Sequence, residues 1–174
     1  MSKGLLSFIR EQSEGKKVDV STWKKFTVSE IFDVKTGAHV KNLKEGDTPR
    51  ISVSGVNNGI TGCFKDIKDD NYRAEENFIS FSFLGTCFYH PYKASLDMKV
   101  HILKPIGYNL NKYSGLFIVS VLRKQFSGTY GNQMSSGDLK KEKVLLPEKN
   151  GKPDWDKMED LIKVFYSKIE NFVV

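Results

Sequence analysis

The stretch Asn77-Phe78-Ile79-Ser80-Phe81-Ser82-Phe83 decides the fold class. Ile79, Phe81 and Phe83 recur at every second position with serines between them, which puts the apolar side chains on one side of an extended strand. The same alternation runs through Arg50-Ile51-Ser52-Val53-Ser54 and through Lys99-Val100-His101-Ile102-Leu103. Each of the three is expected to bury one face. Asn57-Asn58-Gly59, between Val56 and Ile60, supplies residues that tolerate positive φ, so a tight reversal is expected there. Gly37, Gly59 and Gly85 are read as turn or close-packing positions. From Trp23 to about Pro105 the chain reads as strands.

Beyond Asn109 the period changes. Leu116, Phe117, Val119, Leu122 and Phe126 form a broad apolar face over Tyr113 to Phe126, and Arg123 and Lys124 sit in the last turn, where cations suit the helix dipole. One helix is expected, followed by a polar, glycine-rich loop from Ser127 to Gly137 and an extended run Lys143-Val144-Leu145-Leu146 that Pro147 ends. A last helix starts after Pro153 and Asp154. Its apolar positions Trp155, Met158, Ile162, Phe165, Ile169 and Phe172 are spaced 4, 3, 4, 3 from Met158 onward, a heptad seam suited to packing along another helix or onto its own domain. Before Trp23, Met1 to Ser21 holds one apolar cluster (Leu5, Leu6, Phe8, Ile9) and then a polar run. It reads as a leader that docks loosely. The expected organisation is a leader over 1–22, a domain over 23–152 and a helix over 153–174.

The chain has 174 residues, long enough to bury roughly 70% of its unfolded surface in one domain. With 39% hydrophobic and 28% charged residues it has the side chains for a core, which excludes a disordered or collagenous chain. Cys63 and Cys87 stand alone, so neither a zinc ribbon nor a disulfide framework is supported and free thiols are expected. No apolar run approaches the ~20 residues of a membrane span, and the start lacks a secretory signal, so a soluble, cytoplasmic protein is expected. The formal charge of +6 is concentrated: residues 111 to 152 carry eight basic side chains against three acidic ones, while 153 to 174 are net acidic.

The usual catalytic patterns fail in turn. Gly131 to Gly137 lacks the Gly-Lys-Ser/Thr ending of a phosphate-binding loop. His39, His90 and His101 have no spacing that brings imidazoles onto one metal, and the carboxylates of the last helix read as a solvated face. His90-Pro91-Tyr92 has one proline where the amino-methyltransferase signature needs two. No enzyme, metal or cofactor is expected; any methylation falls to another chain. What remains is a binding vocabulary, since Lys and Arg suit phosphates while Asn and Gln can pair bidentately with adenine edges.

The order Trp23-Lys-Lys-Phe26-Thr-Val-Ser-Glu-Ile31-Phe32, Gly37, Asn58-Gly59-Ile60, Phe78-Ile79-Ser80, Gly85-Thr86-Cys87-Phe88-Tyr89, Tyr130-Gly131-Asn-Gln133, Leu139-Lys140-Lys141, Leu146-Pro147 and Pro153-Asp154-Trp155-Asp-Lys-Met158-Glu159 resembles a target recognition domain of restriction-modification specificity subunits. The likeness is strongest to the branch in Type IIB systems and their Type I relatives, and it covers about residues 23 to 165. It implies an α+β domain with a twisted, partly barrel-like sheet, flanking helices and loops that read one half of a bipartite site on double-stranded DNA. It also implies a DNA adenine methyltransferase subunit as partner. A complete specificity subunit has two such domains and two spacer helices; with one domain and the beginning of one helix, this chain reads as a half-subunit that self-associates, a fragment, or a decoy that binds a methyltransferase or specificity subunit without reading DNA. Recognition residues in the family vary with the target, so candidates follow from their chemistry. Tyr89, His90, Tyr92, Tyr130, Asn132 and Gln133 are the candidates for base edges, and Arg50, Lys93, Lys140 and Lys141 for phosphates. The alternatives are strand-end packing for the aromatics, an Asp47 partner for Arg50 and plain solvation for the lysines. Trp155, Met158, Ile162, Phe165, Ile169 and Phe172 are the candidate partner surface.

Overall fold

The computed structural model describes residues 18–126 and 133–173, with side chains through Ser167. The chain enters along β1 (Lys24–Thr27), makes one helical turn, α1 (Val28–Ile31), and leaves along β2 (Phe32–Thr36). The Glu30 carboxylate accepts from the Thr27 N–H at 3.0 Å, so the turn interrupts the strand without orphaning that donor. There follow β3 (Glu45–Ile51), β4 (Ile60–Phe64), β5 (Ala74–Glu75), β6 (Phe78–Ser82), β7 (Cys87–His90), β8 (Ala94–Leu96) and β9 (Val100–Pro105). The last part holds α2 (Lys112–Phe126), α3 (Ser136–Lys141), β10 (Lys143–Leu146), the small hairpin β11 (Glu148–Lys149) and β12 (Lys152–Pro153), and α4 (Trp155–Val173).

The architecture is the α+β one expected from the strand and helix periods. One antiparallel sheet has the order β2-β9-β6-β7; a second has the order β4-β3-β8-β5, with β3 and β8 parallel; β1 pairs with β10. Among the described residues neither sheet closes into a barrel. β6 departs from the expectation of one buried face, because all five of its residues are buried. Ile79 and Phe81 join the core under α2, whereas Phe78 joins Ile51, Leu96, Val100 and Ile102 in a second core. The alternation is real, but each side meets its own apolar layer, as in a central strand covered on both faces.

The helices are placed by specific contacts. Asn111 Oδ1 accepts from the Tyr113 and Ser114 N–H groups at 2.9 and 3.1 Å and so starts α2. Asp154 Oδ1 accepts from the Lys157 N–H at 3.0 Å and starts α4. Trp155 stacks on Tyr108 with ring centroids 4.4 Å apart, and Met158 is fully buried in the main core. The first turn of the heptad seam is thus spent inside this domain. The reversal around Asn57-Asn58-Gly59 does use positive φ (48°, 51° and 80°), but it is the end of a longer connection from Ile51 to Ile60, not a tight hairpin. The polar loop expected to run to Gly137 ends earlier. Ser135 accepts from the Asp138 N–H at 3.2 Å, and this Ser-x-x-Asp cap begins α3 at Ser136. Among the described residues, no helix is long and apolar enough to cross a membrane.

Candidate nucleic-acid interface

The basic segment folds into an exposed lysine surface. β1 pairs with β10 so that Lys25 lies opposite Leu145 and Thr27 opposite Lys143. Opposite residues share a face, and alternate residues of a strand return to it, so Lys25 and Lys143 are diagonal neighbours on the outward side. Phe26, Val144 and Leu146 point inward into the core. Lys140 and Lys141 end α3 just before β10, anchored by the fully buried Leu139. All four lysines are exposed. Of the nearby carboxylates, Glu30 caps Thr27, and Asp138 is bonded to Ser135, whose hydroxyl is the main cause of its lowered pKa, with Lys141 a smaller one; Glu142 stands between Lys141 and Lys143. Lys25 was missed by sequence reading because only the strand register makes it a diagonal neighbour of Lys143, and Lys143, two residues after Lys141, was left out of the pair.

The segment leading into α3 is fixed to the end of the first sheet. The Met134 carbonyl lies 3.0 Å from His101 Nε2, and its N–H points to the Phe83 carbonyl at 3.4 Å. His101 is buried, stacks on Phe83 at 4.9 Å, and has Thr36 Oγ1 3.0 Å from Nδ1. With Nε2 donating to a carbonyl, Nδ1 is the acceptor of the threonine proton. Burial lowers the pKa of His101, in keeping with a neutral ring. Gln133 is exposed immediately before this anchor; Tyr130 and Asn132 lie outside the described residues.

The remaining candidates are in the scaffold. His90 is 0% exposed, stacked on Phe78 at 4.9 Å and 2.8 Å from Ser80 Oγ, and burial pushes its pKa down to about 4. Tyr92 is half-buried with its hydroxyl 3.3 Å from His90 Nδ1. The Tyr89 ring covers Gly115 of α2, and its hydroxyl donates to Asn77 Oδ1 at 2.9 Å. Arg50 is 6% exposed; it donates to the Ala38 carbonyl at 2.8 Å and lies 3.5 Å from Asp97, not beside Asp47. Lys93 is exposed but pairs with Asp66, which also accepts from Tyr72 and Thr48; the Lys93 bond is the largest cause holding the Asp66 carboxyl down to about 2. The structure therefore puts Arg50 and His90 in the interior, Tyr92 half-buried against His90 and Lys93 on Asp66, while Gln133, Lys140 and Lys141 are on the surface, as are Lys25 and Lys143. Among the described residues no group of three or more His, Cys, Asp or Glu is placed to hold a metal. Cys63 is exposed and free; Cys87 is buried, which pushes its thiol up to about 12.

Comparison with known proteins places this arrangement. The family model for the Type I restriction modification DNA specificity domain matches residues 20–171. The chain belongs to that family. It is 32% identical over 160 residues to the Type II restriction enzyme BgcI specificity subunit S.BcgI of Heyndrickxia coagulans, a match that covers 88% of this chain and 45% of the relative. Solved S subunits share the fold at low identity: that of M. genitalium at TM-score 0.59 and 19% identity, over 98% of this chain and 45% of the other, and HsdS of Thermoanaerobacter tengcongensis at 0.64 and 11%, over 96% and 43%. The specificity-domain chain spans less than half the length of these relatives. The family is one of specificity, not catalysis.

Proposed function

We propose that this specificity-domain chain reads sequence on double-stranded DNA and directs an adenine methyltransferase, with methyl transfer and any cleavage carried out by partner chains in the cytoplasm. In this reading residues 23–152 are the recognition domain and 153–174 a spacer and pairing helix. The observation that carries it is the exposed surface of Lys25, Lys140, Lys141 and Lys143, beside a segment anchored at Met134, in a chain of this family. Lysines of this kind grip phosphates without regard to sequence, while side chains on the anchored segment reach base edges. Gln133, with Tyr130 and Asn132 before it, supplies amide and phenol groups for that reading. His90, Tyr89 and Arg50 act one step back, as scaffold, and Lys93 is held by Asp66. The end of the seam (Ile169, Phe172) is the surface for self-association or for the methyltransferase.

Co-expression with a candidate adenine methyltransferase, followed by genome-wide mapping of modified adenines, tests the proposal. A motif that appears only when both chains are present is the expected result. Modification at the same sites with the methyltransferase alone, or none with both chains although they co-purify, overturns it.

A further inference from the structure

An apolar groove lies between α2 and α4. It has a volume of about 600 Å³ and is lined by Trp23, Phe117 and Val121 on one side and Leu161, Ile162 and Phe165 on the other. Phe165 is 52% exposed there, and Val18 and Val20 line the same groove at 40% and 46%. The volume falls in the range of clefts that enclose a drug-sized ligand. An open apolar cleft of this size on a water-soluble surface calls for an occupant.

The sequence supplies one at the right place. The chain from residue 18 runs along the groove, so the 17 residues before it start at its mouth. They contain Leu5, Leu6, Phe8 and Ile9, spaced so that a helical turn puts all four on one side, with Ser7 facing away. Arg10 to Lys17 is a polar tether of eight residues, with a reach of up to about 27 Å. That is ample for the cluster to fold back, and a tether this short holds it at millimolar effective concentration. We infer that Leu5, Leu6, Phe8 and Ile9 occupy the groove between α2 and α4, covering Trp23 and Phe165. The chain's own leader then takes the Ile162 and Phe165 part of the heptad seam and leaves Ile169 and Phe172 to a partner. This assignment is independent of DNA reading.

Disulfide trapping in the full chain tests it. In a Cys63→Ser background, Leu6→Cys is combined with Ser120→Cys, a small exposed position lining the groove, and compared with Ser7→Cys plus Ser120→Cys. The expected result is an intramolecular disulfide that forms at least tenfold faster for the Leu6 pair. Equal rates for the two pairs mean tethering without docking and overturn the inference, as does a disulfide found only between chains, which assigns the groove to a second copy. A second measurement uses Trp23: Leu6→Asp with Phe8→Asp is expected to shift tryptophan emission to the red at unchanged secondary structure, and an unchanged spectrum counts against the inference.

Discussion

Replacing Lys140 and Lys141 by alanine isolates the electrostatic part of the proposed DNA contact. Both side chains are exposed at the end of α3, whose position is set by buried Leu139 and the Ser135 cap, so the substitution leaves the core untouched. Each phosphate neutralised on duplex DNA contributes about 0.9 to the slope of log affinity against log salt. Four lysines, Lys25, Lys140, Lys141 and Lys143, give a slope of about −3.6. Between 50 and 200 mM salt, affinity then falls about 150-fold. Without Lys140 and Lys141 the slope becomes about −1.8 and the fall about 12-fold. Fluorescence anisotropy with a labelled duplex at four salt concentrations measures both. Lys93→Ala serves as the internal contrast: its ammonium is already bonded to Asp66, so its removal leaves the slope within about 0.3 of the parent. A slope unchanged by the double substitution, or a Lys93 effect as large as that of one of the pair, refutes the assignment of phosphates to this surface.

Three further outcomes follow from the core. His90 is buried with a pKa of about 4 against 6.5 when exposed; the unfolded chain therefore takes up the proton first, and stability falls as pH drops from about 6.5 to about 4, by about 3 kcal/mol. Urea unfolding of His90→Gln at pH 7 and pH 4 is expected to show that acid loss reduced, and an acid loss equal to the parent's rejects the buried neutral imidazole. Met158→Ala, at a fully buried seam position, is expected to cost about 2 to 5 kcal/mol in urea unfolding, whereas Phe165→Asp at a half-exposed one is expected to cost far less stability. Gly115→Ala puts a methyl 2.5 Å from the Tyr89 ring and is expected to cost about 1 to 3 kcal/mol by calorimetry; a neutral result means α2 can withdraw from β7.

Why some of this was legible in sequence and some was not comes down to the range of the interactions involved. Strand alternation and the 113–126 apolar face are local, and β6, β9, β10 and α2 lie where those periods put them. The family resemblance was carried by an ordered set of residues and agrees with the family match over 20–171. Register is not local. Arg50 meets Asp97 because β3 and β8 run parallel with Ile51 beside Leu96, which makes the residue after Leu96 a neighbour; the nearer Asp47 lies in the irregular part of β3 between Glu45 and Thr48, where the pairing with β4 shifts. His90 is hidden because β7 pairs it with Phe78 next to Ser80, giving a dry imidazole both a stacking partner and a hydrogen bond. A heptad spacing, likewise, states that a helix has a partner along one side and not whose: α4 gives Met158 to its own core and leaves Phe165 half-exposed.

The distribution of polar groups separates affinity from address. Aromatic and basic residues that look like readers in sequence are mostly bonded within the scaffold, where changing them costs folding. The lysines of the α3 and β10 surface are exposed and tolerate change, and under the proposed function they sense only charge. Between these two classes lies the stretch from Phe126 to Met134, whose ends are fixed: Phe126 is buried edge-on to Phe81 at 5.3 Å, and Met134 is held by His101 and Phe83. Under the proposed function, a change of target falls on residues outside both classes, exposed Gln133 among them, while the lysine surface, the core and the last helix stay as they are.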